Sequence, residues 1–313
     1  MSLAAEKLSG GDTKVAGQKI AAILDELGPR FAARAADADA GDRFVAENFA
    51  ELKRHGLMAA GVPAELGGLD ASYPDLCEML RLIAYHCGST GLAFSMHTHQ
   101  VATNAWRWRY QKAPVDGLLK RVVSESIVLL SSGGSDWLQG SGVATRVEGG
   151  YRINARKIFS SGAPAGDLLM TSAIFDDPEA GSTVLHFAVP MKAEGVKLLD
   201  TWRVLGMRGT GSHDVELADV FIADAAIGGK RPAGKWHPLF HIISMIALLQ
   251  LRKKEPNLER PFKVPFYPAF PIIALVIASI SFVAMTIYNL KLAGIYILII
   301  GCCYILFKLL KRE

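Results

Sequence analysis

Two long uncharged segments near the C-terminus constrain the fold of this chain most strongly. Residues 268–288 form a run of 21 residues without a charge, and a second run of 16 spans residues 292–307. A helix needs about 20 apolar residues to cross ~30 Å of hydrocarbon. Basic residues flank the pair on both outer sides, whereas only Lys291 lies between the runs. The positive-inside rule therefore predicts a transmembrane helical hairpin over residues 268–310, in contact with membrane lipid, with the soluble part of the chain on the cytoplasmic side.

Charge and cysteine usage exclude several other classes of protein. Residues 251–313 carry nine Lys or Arg against three Glu, so the basic balance of the chain belongs to this tail. The remainder is close to neutral, which argues against a nucleic-acid partner. Four cysteines lack the spacing of metal ligands and indicate a reducing compartment. The N-terminus has no apolar core of a secretory signal, and we expect no metal site.

The first 125 residues are predicted to be a helical domain. Ile20, Leu24, Leu27 and Phe31 follow helical spacing, as do apolar residues in 44–52. A Gly- and Pro-containing loop is expected at 61–68, followed by helices over about 74–87, 90–110 and 115–124.

A change to short β-branched segments predicts a β-domain over residues 126–227. Six strand-like segments alternate with turns, such as the hairpin turn at Glu148-Gly149-Gly150 and a second turn that begins at Asp176. We expect an antiparallel barrel or sandwich. Residues 228–267 read as a linker with a basic, Pro-rich approach to the hairpin of residues 268–313.

Four phrases in this order resemble the acyl-CoA dehydrogenase family. They are GVPAELGG (61–68), SSGGSDW (131–137), GGYRINARKIFSSGAPAGDLLMTSAIFD (149–176) and LGMRGTGSHDVELADVFIAD (205–224). The resemblance covers about residues 1–245. It implies an α+β fold, made of the family's N-terminal helical domain and a flavin-binding middle β-domain, with FAD held in the cleft between helices and sheet.

The resemblance also implies which residues hold the flavin. The cofactor-binding positions would be Ser131, Ser132, Gly134, Ser135, Asp136, Phe159, Ser160 and Ser161. Phe159 would lie on the isoalloxazine ring and Ser161 would reach toward its N5 atom. The family more often has Trp and Thr at these two places. The alternative interpretation is that Ser135 and Asp136 only shape a turn and that Phe159 is ordinary β-core.

The substrate positions implied by the resemblance are His97, Arg208 and Thr210. Arg208 and Thr210 match the family's Arg-x-Ser/Thr phrase, but Arg208 could equally be a surface residue. His97, with His99, would line the cleft. A histidine there could act as a base, or it could be a hydrogen-bonded structural residue.

Part of the resembled family's architecture is not recognisable in this chain. The β-domain of the family is followed by a second helical domain, which supplies the catalytic base and much of the homo-oligomer interface. No catalytic residue can be named here. From about residue 244 the phrase LRKKEPNLERPFKVPFYPAFP resembles instead the last two helices of amino acid–polyamine–organocation permeases. An accidental fusion of two unrelated parts is the favoured interpretation.

Three functions remain open from the sequence. The main one is an FAD-dependent dehydrogenase of an acyl-CoA or related small molecule, truncated and inactive. The first alternative is a two-component flavin monooxygenase on the same fold, because Leu129-Leu130-Ser131 stands where dehydrogenases usually have Thr-Glu-Pro. The second alternative is a non-functional membrane fragment of a permease.

Overall fold

The computed structural model describes residues 12–133, 136 and 140–234 of the chain. The chain divides into two compact units, residues 1–251 and 252–313, and every described residue belongs to the first. The predicted hairpin of residues 268–313, the basic approach to it and the permease-like phrase lie outside the described residues.

Within the described residues, five α-helices form the N-terminal part. They are α1 (Asp12–Ala40), α2 (Ala46–Arg54), α3 (Tyr73–His86), α4 (Gly88–Gln111) and α5 (Asp116–Glu125), with short 3-10 turns at Leu57–Ala59 and Ala64–Leu66. The predicted loop at 61–68 therefore contains one helical turn. The predicted helical periodicity of α1 is confirmed, because Ile20, Leu24, Leu27 and Phe31 are all buried. Capping decides the start of α3, where the Ser72 hydroxyl accepts from the Asp75 amide and the Asp75 carboxylate accepts from the Ser72 amide.

The helices and the sheet share one hydrophobic core. Phe49 of α2 packs edge-on against Phe94 of α4, with ring centroids 6.1 Å apart. The core continues through β1, where Leu129 and Leu130 are buried, into the inner face of the sheet. A tilted contact of Phe44 with Phe49 closes the cluster at the start of α2. Because the helical core runs unbroken into β1, the helices fix the position of the first strand.

The described part of the β-domain is an eight-stranded sheet. Its strands are β1 (Leu129–Ser131), β2 (Val143–Val147), β3 (Gly150–Lys157), β4 (Leu168–Asp177), β5 (Gly181–Pro190), β6 (Val196–Leu199), β7 (Asp214–Ala223) and β8 (Ile227–Pro232). The order is β6-β7-β3-β2-β4-β5-β8, with β1 paired to β4. Short 3-10 turns lie at Ala163–Ala165, Arg208–Thr210 and Asp224–Ala226.

The predicted turns are present, but the sheet is not wholly antiparallel. Gly149 (φ +73°) makes the turn between β2 and β3, and residues 178–180 turn between β4 and β5. β1 and β2 follow one another along the same side of β4, with Leu129 opposite Leu168 and Val143 opposite Ile174. Both pairings are parallel, because the chain reaches β4 after a crossover through β3 and residues 158–167 rather than through a hairpin. The prediction of a purely antiparallel domain is corrected accordingly.

A second correction concerns residues 228–232, which were predicted to start a linker. They belong to β8, which pairs antiparallel with β5 from Phe187 to Thr183. Gly228 and Gly229 read as linker residues in the sequence. An edge strand tolerates them, because the ladder on its inner side uses main-chain groups that glycine supplies as well as any residue.

A third correction concerns localisation. Among residues 12–133, 136 and 140–234, the structure contains no helix with the length and apolar character that crossing a bilayer requires. The predicted membrane localisation is therefore contradicted for the part of the chain that the structure describes, whereas the predicted hairpin of residues 268–310 lies outside that part.

Candidate functional site

The first flavin-like phrase leaves the end of β1 and turns along the end of β3. The Ser131 hydroxyl donates to the carbonyl of Ser132 at 3.2 Å, and the Ser132 hydroxyl lies 2.9 Å from that of Thr171 on β4. Both serines are buried. Gly134 and Ser135 lie outside the described residues. The hydroxyls of Ser131 and Ser132 therefore have hydrogen-bond partners within the protein, and both buried side chains hold this segment in place.

Gly133 joins the first phrase to the second. Its amide donates to the carbonyl of Ile158 at 2.9 Å. A Cβ at this position would lie 2.9 Å from the same carbonyl oxygen. Glycine is therefore needed for the close approach of the two segments.

A buried ion pair between Asp136 and Lys157 holds the same junction. Lys157 is 0% exposed, and its Nζ lies 3.1 Å from Asp136 Oδ2, without hydrogen-bond alignment. The ammonium donates to the carbonyls of Ser141 and Ser172 at 2.7 and 2.5 Å, and the Ser141 hydroxyl donates to Asp136 Oδ1. Burial lowers the pKa of Lys157, and the charge of Asp136 opposes that shift. Because the ammonium donates to three oxygen atoms and the Asp136 carboxylate accepts from the Ser141 hydroxyl, the pair is held in one geometry.

Phe159 stands at the surface beside this junction. It is 56% exposed, and its ring meets that of Trp202 edge-on with centroids 5.6 Å apart. Its backbone is left-handed, at φ +55°. A non-glycine residue in that region carries strain of order 1–3 kcal/mol, and such residues cluster at functional sites. The alternative that Phe159 is ordinary β-core is thus not supported by its exposure.

A short chain of hydroxyl groups connects the second phrase to the third. Ser161 Oγ lies 2.8 Å from Ser212 Oγ, which lies 2.7 Å from Thr210 Oγ1. Thr210 is 0% exposed, so its side chain is a support for Ser212 rather than a surface contact for a substrate. Ser160 is also fully buried, and its hydroxyl has no partner among the described residues. The structure thus brings Ser160 and Ser161, expected at the flavin, close to Thr210, expected at the substrate.

His97 does not line an open cleft. It is 1% exposed, its Nε2 lies 2.9 Å from the carbonyl of Met58, and its Nδ1 accepts from the Leu129 amide at 3.0 Å. These partners require the neutral tautomer with the proton on Nε2. Burial lowers the pKa of His97 to about 4. This arrangement favours the structural role left open by the sequence over substrate contact. The neighbouring His99 is partly exposed, and its Nδ1 contacts the carbonyl of Ser95 at 3.1 Å.

Arg208 is occupied by contacts within the protein. Its guanidinium donates to the carbonyls of Val204 and Asp39 at 3.1 and 3.2 Å. The carboxylates of Asp39 and Asp42 lie 3.9 and 3.8 Å away. Arg208 therefore connects the end of α1 to the β-domain, and the structure does not present it as a free cation for a substrate.

Several residues of the site escaped the sequence analysis. Ser141, Thr171, Ser172 and Ser212 hold the two phrases in place. Ser141 lies between the phrases that carry the resemblance, and the other three lie within them, but the resemblance gave none of the four a role. Lys157 stood in a recognised phrase without a role. A charged residue at an inward position of a strand was the available signal, since lysine is almost never fully buried unless paired.

A separate cavity of about 210 Å³ lies between the helices and the sheet. It is bounded by α4, the start of α5 and strands β4, β5 and β8, and most of its lining is apolar. Thr171 lines it and also contacts Ser132, so the cavity adjoins the first phrase. Nothing in the sequence pattern pointed to it, because its walls come from five elements far apart in the chain.

Comparison with known families places both halves of the described chain. Residues 22–109 match the N-terminal domain of acyl-CoA dehydrogenase, and residues 131–220 match its middle domain. The chain is 31% identical over 234 residues to an L-evernosamine nitrososynthase of a Micromonospora species, covering 70% of this chain and 54% of that protein. It is 32% identical over 215 residues to the dibenzothiophene monooxygenase of Mycolicibacterium goodii, covering 66% and 51% respectively. The chain thus spans about half the length of the curated relatives it matches.

Solved structures give the same result. The nitrososynthase from Micromonospora carbonacea var. africana superposes with a TM-score of 0.64 at 26% identity, over 72% of this chain and 57% of that one. The FMN-bound TdsC from a Paenibacillus species superposes with a TM-score of 0.60 at 25% identity, over 68% and 54%. The described part of the chain therefore has the acyl-CoA dehydrogenase-like α+β fold, and it is built from the N-terminal and middle domains of that family.

Proposed function

We propose that this chain is a flavin-binding protein of the monooxygenase type on the acyl-CoA dehydrogenase fold. The observation that carries the proposal is the exposed, strained Phe159 at the junction of the two flavin-like phrases. The relatives named above support oxygenation over dehydrogenation, since they are named as a monooxygenase and a nitrososynthase. The first function inferred from the sequence, acyl-CoA dehydrogenation, gives way to the alternative. Because the chain covers about half of each relative, the activity of the whole protein is part of the proposal.

The residues at the junction fit a flavin ring. Phe159 offers an aromatic surface of which more than half is exposed, and a planar ring system can stack on it. Ser161 stands next to it with a hydroxyl that is only partly engaged, because each hydroxyl has one donor and two acceptor positions. The buried Ser160 hydroxyl has a free hydrogen-bonding capacity at the same turn.

The other residues keep this surface in position. The Asp136–Lys157 pair and the Gly133–Ile158 hydrogen bond fix the spacing between the two phrases. The Ser212 hydroxyl orients the Ser161 hydroxyl through a hydrogen bond, and a second hydrogen bond to Thr210 fixes Ser212. When bound, a reduced flavin supplies the electrons that activate molecular oxygen. The protein residues described here bind and orient, and none of them serves as an acid or a base.

Flavin titration of the full chain tests the proposal. We expect binding of FMN or FAD to quench flavin fluorescence, and Phe159→Ala to weaken that binding by roughly 2- to 10-fold, which is the range of an aromatic contact. Phe221→Ala is the matched control, because Phe221 is a similarly exposed phenylalanine on β7. Equal affinities of the two variants would contradict the assignment of Phe159.

The same titration addresses the choice of flavin and of reaction. The sequence resemblance implies FAD, whereas the TdsC structure contains FMN. Titrating both flavins in oxidised and reduced form separates the possibilities. Preference for a reduced flavin supplied from outside supports the monooxygenase type. Tight retention of oxidised FAD through purification, with bleaching by a saturated acyl-CoA, would support the dehydrogenase type instead.

A further inference from the structure

The cavity between α4 and the sheet combines an apolar lining with polar groups that lack partners. Gln100 of α4 lines it and is only 3% exposed, yet its Nε2 has no hydrogen-bond partner in the described part of the chain. An unsatisfied buried donor destabilises the folded state, so its retention calls for an explanation. A ligand that supplies an acceptor atom in the cavity would remove that cost.

Two cations stand at the same cavity. Arg107 lies two turns beyond Gln100 on α4, and Lys230 lies across from it on β8. Neither side chain makes a salt bridge or a hydrogen bond among residues 12–133, 136 and 140–234. The positive charge of Lys230 acts on Asp177 and Asp224 through space and helps to lower the pKa of each carboxyl group. No acidic side chain among the described residues lines the cavity, so its electrostatic preference is for an anion.

The volume of the cavity and its apolar lining indicate the size and chemistry of the uncharged part of the ligand. An apolar cavity of about 150 Å³ accommodates benzene. The volume of about 210 Å³ therefore suits one six-membered ring with a small polar substituent. Met170, Phe187 and Leu118 provide apolar surface for such a ring. An extended acyl chain or a nucleotide exceeds this volume, and part of it would lie outside the cavity.

We propose that this cavity is a binding site for a small aromatic carboxylate, whose charge faces Arg107 and Lys230 and whose ring lies against the apolar walls. A carboxylate oxygen can accept from Gln100 Nε2, which satisfies the free donor. The site uses none of the residues assigned to the flavin, although Thr171 touches both regions. The proposal therefore stands whether or not a flavin binds at Phe159.

The test measures binding of para-fluorobenzoate to the full chain by fluorine NMR, without added flavin. We expect para-fluorobenzoate to bind at least about tenfold more tightly than para-fluorobenzamide, which has the same shape but no charge. Arg107→Gln should weaken benzoate binding roughly tenfold, as expected for a hydrogen bond to a charged group. Lys230→Gln should weaken it less, by roughly 2- to 5-fold, because Lys230 is exposed.

Two controls keep the result interpretable. Lys197→Gln makes the same charge change on β6, at the opposite edge of the sheet, and should leave benzoate binding unchanged. Gln100→Leu removes the buried donor while keeping the cavity apolar, so it should weaken benzoate binding in a protein that remains folded. Equal binding of the amide and the carboxylate would overturn the proposal, and so would equal effects of Arg107→Gln and Lys197→Gln. Flavin titration of the same variants shows separately whether the flavin proposal holds.

Discussion

His97 allows a sharp prediction on the pH dependence of stability. In the folded chain the imidazole is buried and neutral, and its Nδ1 is needed as the acceptor for the Leu129 amide. Protonation would place a second donor against that amide and a charge in an apolar interior. The folded state therefore resists protonation, and its pKa is lowered from 6.5 to about 4.

The magnitude follows from the difference between the folded and the unfolded pKa. Each pKa unit corresponds to about 1.36 kcal/mol, so the fall from 6.5 to about 4 corresponds to about 3 kcal/mol. The unfolded chain binds this proton as the pH falls through 6.5, whereas the folded chain does not until about pH 4. The titration of His97 thus leaves the free energy of unfolding unchanged above about pH 7, lowers it between pH 6.5 and 4, and lowers it no further below that range.

Denaturant unfolding of the wild type and His97→Gln at a series of pH values tests this reasoning. The variant is less stable at neutral pH, because glutamine cannot reproduce both main-chain contacts. Its free energy of unfolding should nevertheless fall by about 3 kcal/mol less than that of the wild type between pH 7 and 4. Parallel curves for the two proteins, or an NMR titration that gives His97 a pKa near 6.5, would refute the argument.

Three further predictions concern other residues of the fold and the reaction. Lys157→Met should lower the free energy of unfolding by about 3–5 kcal/mol, because it leaves the buried Asp136 carboxylate unpaired. Adding Asp136→Leu should recover much of that loss in the double variant, and additive losses would argue against a coupled pair. Gly91→Ala should lower the free energy of unfolding by about 1–3 kcal/mol in thermal unfolding, because the new Cβ would lie 2.6 Å from the Cβ of Ala84. Gly117→Ala is the control, because position 117 on α5 faces open space, and it should stabilise the protein slightly. Saturated acyl-CoAs should not bleach oxidised flavin bound to the full chain under anaerobic conditions, because no described residue is placed as a base, and rapid bleaching would show that one exists.

The sequence predicted most of the fold because local patterns decide it. The spacing of Ile20, Leu24, Leu27 and Phe31 shows the buried face of α1 directly, and Glu148-Gly149-Gly150 identifies a tight turn. The pairing of the strands was harder to predict from the sequence. The parallel contact of β1 with β4 depends on the crossover through residues 132–167, and no property of the residues 129–131 distinguishes it from an antiparallel one.

The candidate site was predictable only as far as its phrases reached. Phe159, Ser160 and Ser161 are contiguous, so the resemblance could point to them together. Their supports are not contiguous, because Ser212 lies 51 residues beyond Ser161 and Thr171 lies 39 beyond Ser132. His97 and Arg208 show that a reactive residue type alone can mislead a prediction of function. Their residue types suit chemistry, but their surroundings in the fold give them main-chain partners that no motif could reveal.

The contact of α2 with the sheet also bears on the order of folding during synthesis. Lys53 reaches Asp167, whose carboxylate also accepts from the Val128 amide, and the lysine and the aspartate are 114 residues apart in the chain. At a synthesis rate of about 5–20 residues per second, α2 leaves the ribosome roughly 6–23 s before its partner. During that interval the helices lack the sheet that completes their core. The nascent N-terminal part must therefore wait with apolar surface uncovered, and this interval is when it is most exposed to aggregation or to chaperones.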